Sequence, residues 1–374
     1  MDDAEFIETS VRLQLGQVLE RRLTQTPEAR AQALAGSSGS AVAWNWTEGR
    51  PYPENGWGLE TGADGLDGLI NENRFVNRNK AQGSLREILA AGVQSDVIVD
   101  MQDRRLRNIA LPDGSLFPVF TFNREIGSVG RILWPLPTYY DLGSPVFLGP
   151  RDWNRVPWAK KENRIAWRGI HGGRADRHGE VRREGLRLKP LMRKFNKGQI
   201  SEDEAREHLD HFPRHRLMQR YIDDPRFDIG FTGAIQNVPL EEYPFTRALT
   251  RPRLSQQAML HYKYLLVLRG ADVGSSFYWT MNSGSLALVM ESYFETFASG
   301  HFRPWEHYVP FKADLSDFEE RIDWCQTHDS ECAEMTVRAQ DMCRWLARGD
   351  LRDQIAREVV TRVDRRITDC AALF

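Results

Sequence analysis

Apolar residues recur at helical spacing through residues 4–34, where Phe6, Val11, Leu13, Leu15, Val18, Leu19 and Leu23 line up before Gly36-Ser37-Ser38-Gly39 breaks the pattern. One amphipathic helix is expected there. Residues 48–83, rich in Gly, Asn, Pro and Trp, read as irregular. A helix is expected from about Ser84, which has Glu87 three residues on, the arrangement of a capping box. Short β-branched and apolar runs then predict strands at 96–101, 117–122 and near 131–134. Strand, helix and strand in this order suit an α/β layer.

Residues 135–163 hold five prolines and no periodicity, and read as a crossing between two domains. The pattern restarts with a strand at 163–168, a turn at Gly169-Ile170-His171-Gly172-Gly173 and a basic helical stretch. Two more strand–turn–helix units are expected: Tyr262 to Leu268 into Gly270–Gly274, and Ser285 to Met290 into Ser292–Ala298. From Leu315 onward the pattern is helical, and no internal repeat occurs.

A length of 374 residues accommodates two cores, and 41% hydrophobic with 27% charged residues is the balance of a globular enzyme. A net charge of -2 gives no global attraction to nucleic acid. The charge is uneven: Arg151 to Arg220 carries nine more basic than acidic side chains, which suits an anionic ligand or a solvated helical surface. Cys325, Cys332, Cys343 and Cys370 form no CxxC pair, so free thiols in a reducing compartment are expected and a zinc site is not. The acidic start lacks the basic and apolar regions of a signal peptide, and no apolar run approaches about 18 residues.

Candidate chemistry lies at two glycine turns. In His261 to Phe277 an apolar strand runs into Gly270, Asp272 and Gly274, then a helix opening on Ser275 and Ser276. A helix start at the carboxyl edge of a parallel sheet offers free N–H groups to phosphate, although such a turn can also be only a turn. The second turn, Arg168 to Arg174 with Gly169, Gly172 and Gly173, is followed by Arg177, Arg182 and Arg183. Arginine forks hold phosphate oxygens in pairs of hydrogen bonds; alternatively Arg168 makes a structural salt bridge and the others face water. No Asp-x-Asp triplet is present to hold a divalent ion against a diphosphate. In Asp100-Met101-Gln102-Asp103 a carboxylate ending a strand could take a proton from an acceptor hydroxyl, or serve as a cap. Trp44, Trp46, Tyr139 and Tyr140 are candidates to stack on acceptor sugars or to fill a core.

These residues resemble glycosyltransferase family 90. The matching features are Tyr262-Lys263-Tyr264-Leu265, Arg269-Gly270, Gly284-Ser285-Leu286, Glu295, Pro304-Trp305-Glu306-His307-Tyr308-Val309-Pro310 and Asp314-Leu315-Ser316-Asp317. Upstream, Ala166-Trp167-Arg168-Gly169, Val119-Phe120-Thr121-Phe122 and Asp103 also fit, so the similarity covers roughly residues 95–345. The resemblance implies a GT-B fold: two Rossmann-like α/β domains facing a central crevice, with a helical C-terminal tail. The expected division is 1–150 on the acceptor side and 151–349 for the nucleotide sugar, with 350–374 packing back on the first domain. It implies inverting, metal-independent transfer of glucose or xylose from a UDP-sugar to a hydroxyl of a glycan, with no cofactor and no nucleic-acid partner. The branch it looks closest to modifies bacterial lipopolysaccharide, which implies a cytoplasmic place with peripheral contact at the inner face of the membrane. Carried over by position, Asp103 is the general base. Arg168 and Gly169 are part of the donor site, Gly270 to Ser276 the diphosphate site, and Glu295 the ribose ligand. Ser276 stands where relatives carry arginine, so Arg174 or Arg177 is expected to compensate; without that, the chain would be a weakened sugar-nucleotide or glycan-binding relative.

Overall fold

The structure is a computed structural model of the 374-residue chain. It describes all residues except 62–66, 74–77, 103–108, 138–155, 173–176, 179–180, 183–187, 233–243, 271–272 and 372–374, and leaves out the side chains at 177–178, 181–182, 189, 244 and 369–371. Two compact units are present. Unit 1 comprises Met1–Asp141, Tyr293–His301 and Trp345–Phe374; unit 2 comprises Leu142–Ser292 and Phe302–Arg344.

Unit 1 opens with α1 (Asp3–Leu15), whose Asp2 cap accepts a hydrogen bond from the Glu5 amide. The single helix expected over 4–34 is corrected here. Gly16 takes φ +51°, and a Cβ there would lie 2.6 Å from the Arg124 guanidinium, so a 3-10 turn (Gly16–Glu20) follows. The chain re-enters helix only at α2 (Pro27–Ala35), capped by Thr26. The stretch read as irregular holds strands instead. Strand β1 (Val42–Asn45), which precedes the stretch, pairs antiparallel with β2 (Arg50–Pro51) inside it, and β3 (Trp57–Thr61) pairs antiparallel with β4 (Asp67–Asn71). Helix α3 (Arg78–Ala90) begins six residues before Ser84, which is buried in mid-helix and is not its cap. Strands β5 (Val97–Asp100), β6 (Val119–Thr121), β7 (Asn123–Glu125) and β8 (Arg131–Leu133) follow. The sheet runs β2-β1-β5-β6-β8, with β5, β6 and β8 parallel. Val97, Ile98, Val99, Val119 and Phe120 are fully buried, as strands covered on both faces require.

Unit 2 begins with β9 (Glu162–Gly169), then a two-residue ribbon, β10 (Arg177–His178) and β11 (Val181–Arg182). Helices α4 (Leu188–Asn196), α5 (Glu202–Asp210) and α6 (Pro213–Tyr221) come next; Ser201 and Glu204 form a capping box on α5, and Pro213 starts α6. Beyond them lie β12 (Phe227–Phe231), α7 (Pro244–Arg247), α8 (Gln256–Met259), β13 (Tyr262–Val267), α9 (Phe277–Asn282) and β14 (Leu286–Met290). The helix expected over 292–298 is instead β15 (Phe294–Thr296), which pairs antiparallel with β7 in unit 1. Unit 2 resumes with β16 (Val309–Phe311), α10 (Phe318–Thr327) and the body of α11 (Asp329–Leu346). The last helix, α12 (Gly349–Ala371), packs on α1, where Arg362 bonds Glu8 and Arg348 bonds Asp3.

The sheet of unit 2 is parallel throughout, in the order β12-β9-β13-β14-β16. Its core joins Ile165, Trp167, Ile229, Phe231, Tyr264, Leu266, Leu288 and Phe311 to Leu217, Phe318 and Ile322 from helices. The whole is an α/β protein. Among the described residues no helix is long and apolar enough to cross a membrane.

Candidate functional site

Numbered within its own sheet, unit 2 has strand order 2-1-3-4-5. In such a sheet the order reverses between the first and third strands, and the chains leaving them diverge. The gap at their carboxyl ends is where open α/β sheets take ligands. Here those strands are β9 and β13. The residues at the gap are Gly169, Ile170, His171 and Gly172 on one side, and Leu268, Arg269 and Gly270 on the other. Both turns singled out in the sequence therefore meet at one place.

Arg214, the second residue of α6, joins them. Its Nη1 donates to Ile170 O at 3.1 Å, its Nη2 to Leu268 O at 2.9 Å and its Nε to Arg269 O at 2.9 Å. The guanidinium also lies over the Trp167 ring, 5.6 Å from the centroid. A Cβ at Gly270 would stand 3.1 Å from Nη2, a tight contact. The next residue of α6, His215, has its Nε2 3.0 Å from His171 Nδ1, and the His171 ring stacks on Phe231 at 3.6 Å. Burial, then the neighbouring His215 and Arg214, push His171 down to about 2. Burial and then Arg214 push His215 down to about 3. Both imidazoles are neutral, one donating to the other. Their outer nitrogens, His171 Nε2 and His215 Nδ1, are buried and find no hydrogen-bond partner among the described residues. The apolar Ile170 side chain, 54% exposed, stands at the same turn.

On the far side of Gly270 the turn closes against its own strand. A Cβ at Gly274 would lie 2.8 Å from Val267 Cγ1 and 3.2 Å from Leu268 O. Only glycine lets the chain return this closely. Ser275 and Ser276 then lead into α9, a six-residue helix whose Ser276 cap makes no side-chain hydrogen bond. Asp272 lies outside the described residues.

Arg168 is used by the protein itself. Its Nη2 pairs with Asp228 Oδ1 at 2.6 Å, its Nη1 donates to Asp228 O and Trp167 O, and its Nε to Pro252 O. Of the two readings of Arg168 open in the sequence, this geometry is the structural salt bridge. Burial works to raise the Asp228 carboxyl, but hydrogen bonds from Tyr262 and Arg168 outweigh it and leave it below the ordinary carboxylate value. Gly169 has a local reason too: a Cβ there would meet the Trp167 ring at 2.4 Å. Gly173 and Arg174 lie outside the described residues. Arg177 has its backbone in β10 and its side chain outside them.

Unit 1 holds the other expected residues. Asp103 lies outside the described residues. Asp100 is fully buried at the end of β5, and its carboxylate accepts from Ser38 N at 2.9 Å and Ser38 Oγ at 2.6 Å. Glu295, expected at a ribose in the nucleotide domain, sits on β15 in unit 1. Its Oε1 accepts from Arg124 Nε at 2.6 Å, while Arg124 also donates to Leu13, Gln14 and Arg131 carbonyls. Trp44 is buried and Trp46 is 45% exposed; Tyr139 and Tyr140 lie outside the described residues. Among the described residues no cluster of three or more His, Cys, Asp and Glu side chains is placed to hold a metal ion.

Sequence reasoning missed Arg214 and His215. The available signal was weak: Pro213 marks a helix start, and two basic residues follow it.

Residues 245–351 match the family described as Glycosyl transferase family 90. Protein O-glucosyltransferase 2 of Danio rerio is 32% identical over 90 residues, which are 24% of this chain and 18% of that protein. O-glucosyltransferase LpsA of Dichelobacter nodosus is 28% identical over 142 residues, 38% of this chain and 42% of that protein. Protein O-glucosyltransferase 3 of Homo sapiens is 34% identical over 84 residues, 22% of this chain and 16% of that protein. The chain thus spans less than half the length of these curated relatives. The matched family segment includes β13, the Gly270–Gly274 turn, α9, β14 and β16.

Proposed function

We propose that this chain, which carries a glycosyltransferase family 90 segment over residues 245–351, moves a sugar from a UDP-sugar to an acceptor hydroxyl, with the nucleotide in unit 2. The observation that carries the reading is the pair of glycine turns at the switch point of a 2-1-3-4-5 parallel sheet, one of them inside the family segment. Backbone N–H groups there, with Arg214 between the turns, suit a diphosphate. As the bond to the anomeric carbon breaks, charge builds on the departing diphosphate, and donors already held in place stabilise it. Asp103 is the proposed general base for the attacking hydroxyl. Glucose or xylose is the proposed sugar and a bacterial surface glycan such as lipopolysaccharide the proposed acceptor. Both rest on the resemblance and on the O-glucosyltransferase names of the relatives. Inversion at the sugar follows from a single displacement.

The test mixes the purified protein with a panel of UDP-sugars and follows binding and slow donor hydrolysis, beside Asp103→Asn. Binding of one donor, with hydrolysis lost in the variant, is expected. Binding with no turnover, even with a glycan acceptor supplied, would point to a binding relative. No binding of any UDP-sugar would refute the reading.

A further inference from the structure

We propose that Arg214 is the positioning residue of the diphosphate seat: its planar fork ties the turn after β9 to the turn after β13 and keeps a fixed positive charge between them. The inference rests on the nucleotide-sugar reading of unit 2. Three donors of one side chain meet carbonyls of Ile170, Leu268 and Arg269, residues 44 to 55 positions away in the chain. The carbonyls that Arg214 draws toward itself are those of the peptide planes whose N–H groups face the other way. Holding three such planes leaves the adjacent amides in one orientation before ligand arrives, so less ordering remains to be done on binding. The charge matters separately: it stands behind the peptide planes whose amides face the ligand and adds a positive field there, which Ser276 does not supply.

Neighbouring atoms show that the fork is held in this pose. Trp167 lies under its face, and a Cβ on Gly270 would crowd Nη2 at 3.1 Å. His215, one residue on, fixes the same end of α6 against His171. A lysine would keep the charge but could not reach three carbonyls with a rigid fork. The two contributions can therefore be told apart.

The experiment measures UDP and uridine affinity by isothermal titration calorimetry for the full chain, Arg214→Lys, Gly270→Ala and the double variant. Arg214→Lys is expected to weaken UDP about tenfold and to leave uridine unchanged, since the base and ribose do not depend on the fork. Gly270→Ala, whose new methyl crowds Nη2, should weaken UDP in the same direction but less, and should add nothing in the Arg214→Lys background. Wild-type UDP affinity in Arg214→Lys, or equal loss of UDP and uridine, overturns the inference. If Arg214→Lys does not fold, Gly270→Ala decides: unchanged UDP affinity there also overturns it. Absence of UDP binding in the unaltered chain is a different result, which removes the nucleotide-sugar reading itself.

Discussion

Acid should destabilise unit 2 through His171 and His215 well before its carboxylates protonate. Both imidazoles are neutral in the folded chain, held down to about 2 and about 3 by burial first, then by the repulsion that a proton on His171 would meet from His215 and Arg214, and one on His215 from Arg214. An unfolded histidine titrates near pH 6.5. Below that value the unfolded chain binds protons that the folded chain refuses, so stability is fully present above pH 6.5 and is lost as pH falls. Each histidine contributes a slope of up to about 1.4 kcal/mol per pH unit. At pH 5 that is about 2 kcal/mol each, or about 4 kcal/mol for the pair, against the ~5–15 kcal/mol that stabilises a typical domain. The assay is urea denaturation followed by circular dichroism from pH 5 to 8, with His215→Gln beside the unaltered chain. The variant loses a constant amount from the broken His171 contact, but its mean pH slope between 5 and 6.5 should be shallower by about 1 kcal/mol per unit. Identical slopes in the two proteins, or a flat profile in the unaltered chain, would refute the reasoning.

Other perturbations test the scaffold around the site. Arg168→Met should cost about 3 kcal/mol, because it leaves Asp228 charged and half-buried, and adding Asp228→Asn should recover part of this in a double-mutant cycle. Gly16→Ala should cost about 3 kcal/mol in urea denaturation, since the φ of +51° is strained for alanine and its methyl would strike the Arg124 guanidinium. Gly169→Ala should cost about 2 kcal/mol and lower the thermal midpoint, the new methyl meeting the Trp167 ring. A stability equal to the unaltered chain in any of these would contradict the packing described.

Strands β5, β6, β8, β9, β13 and β14 were legible as short segments with apolar or aromatic residues and turn residues beyond them, whereas β1, β2, β12 and β16 of the same sheets were not expected. Val97–Asp100, Tyr262–Val267 and Leu286–Met290 are mostly apolar throughout, while Glu162–Gly169 carries only the apolar centre Ile165-Ala166-Trp167. The departures share one cause, contacts distant in sequence. The break after α1 answers to Arg124, more than a hundred residues away, which fills the space beside Gly16. Phe294–Thr296 is a strand because β7 offers it an edge, and local sequence says nothing of β7. The β1–β2 hairpin turns through the left-handed Gly49, and the link from β2 to β3 through the left-handed Asn55 and Gly56; the strands they join are too short to show as alternation. At the candidate site the glycines announced themselves, since their spacing after a strand is a local signal. Arg214 did not, because in the sequence it is one basic residue among many between Arg151 and Arg220. Only the fold reveals that its three acceptors lie together.

Unit 1 is assembled from three stretches of chain, and this sets an order of events during synthesis. Helix α1 is complete at Leu15, whereas the helix that covers it, α12, begins at Gly349. At the ~5–20 residues per second of a ribosome, about 20–70 s separate the two. Throughout that interval Phe6, Val11 and Leu15, all buried in the finished protein, lack part of their cover. The parallel sheet of unit 2 has all its strands by Phe311 and the helices that complete its core by Arg344, still ahead of α12. The nascent chain therefore carries a complete parallel sheet in unit 2 while unit 1 is unfinished, and a ribosome that stalls before Gly349 releases a protein with apolar surface exposed on α1. Holding chaperones would be needed at the first helix, not at the strands still being made.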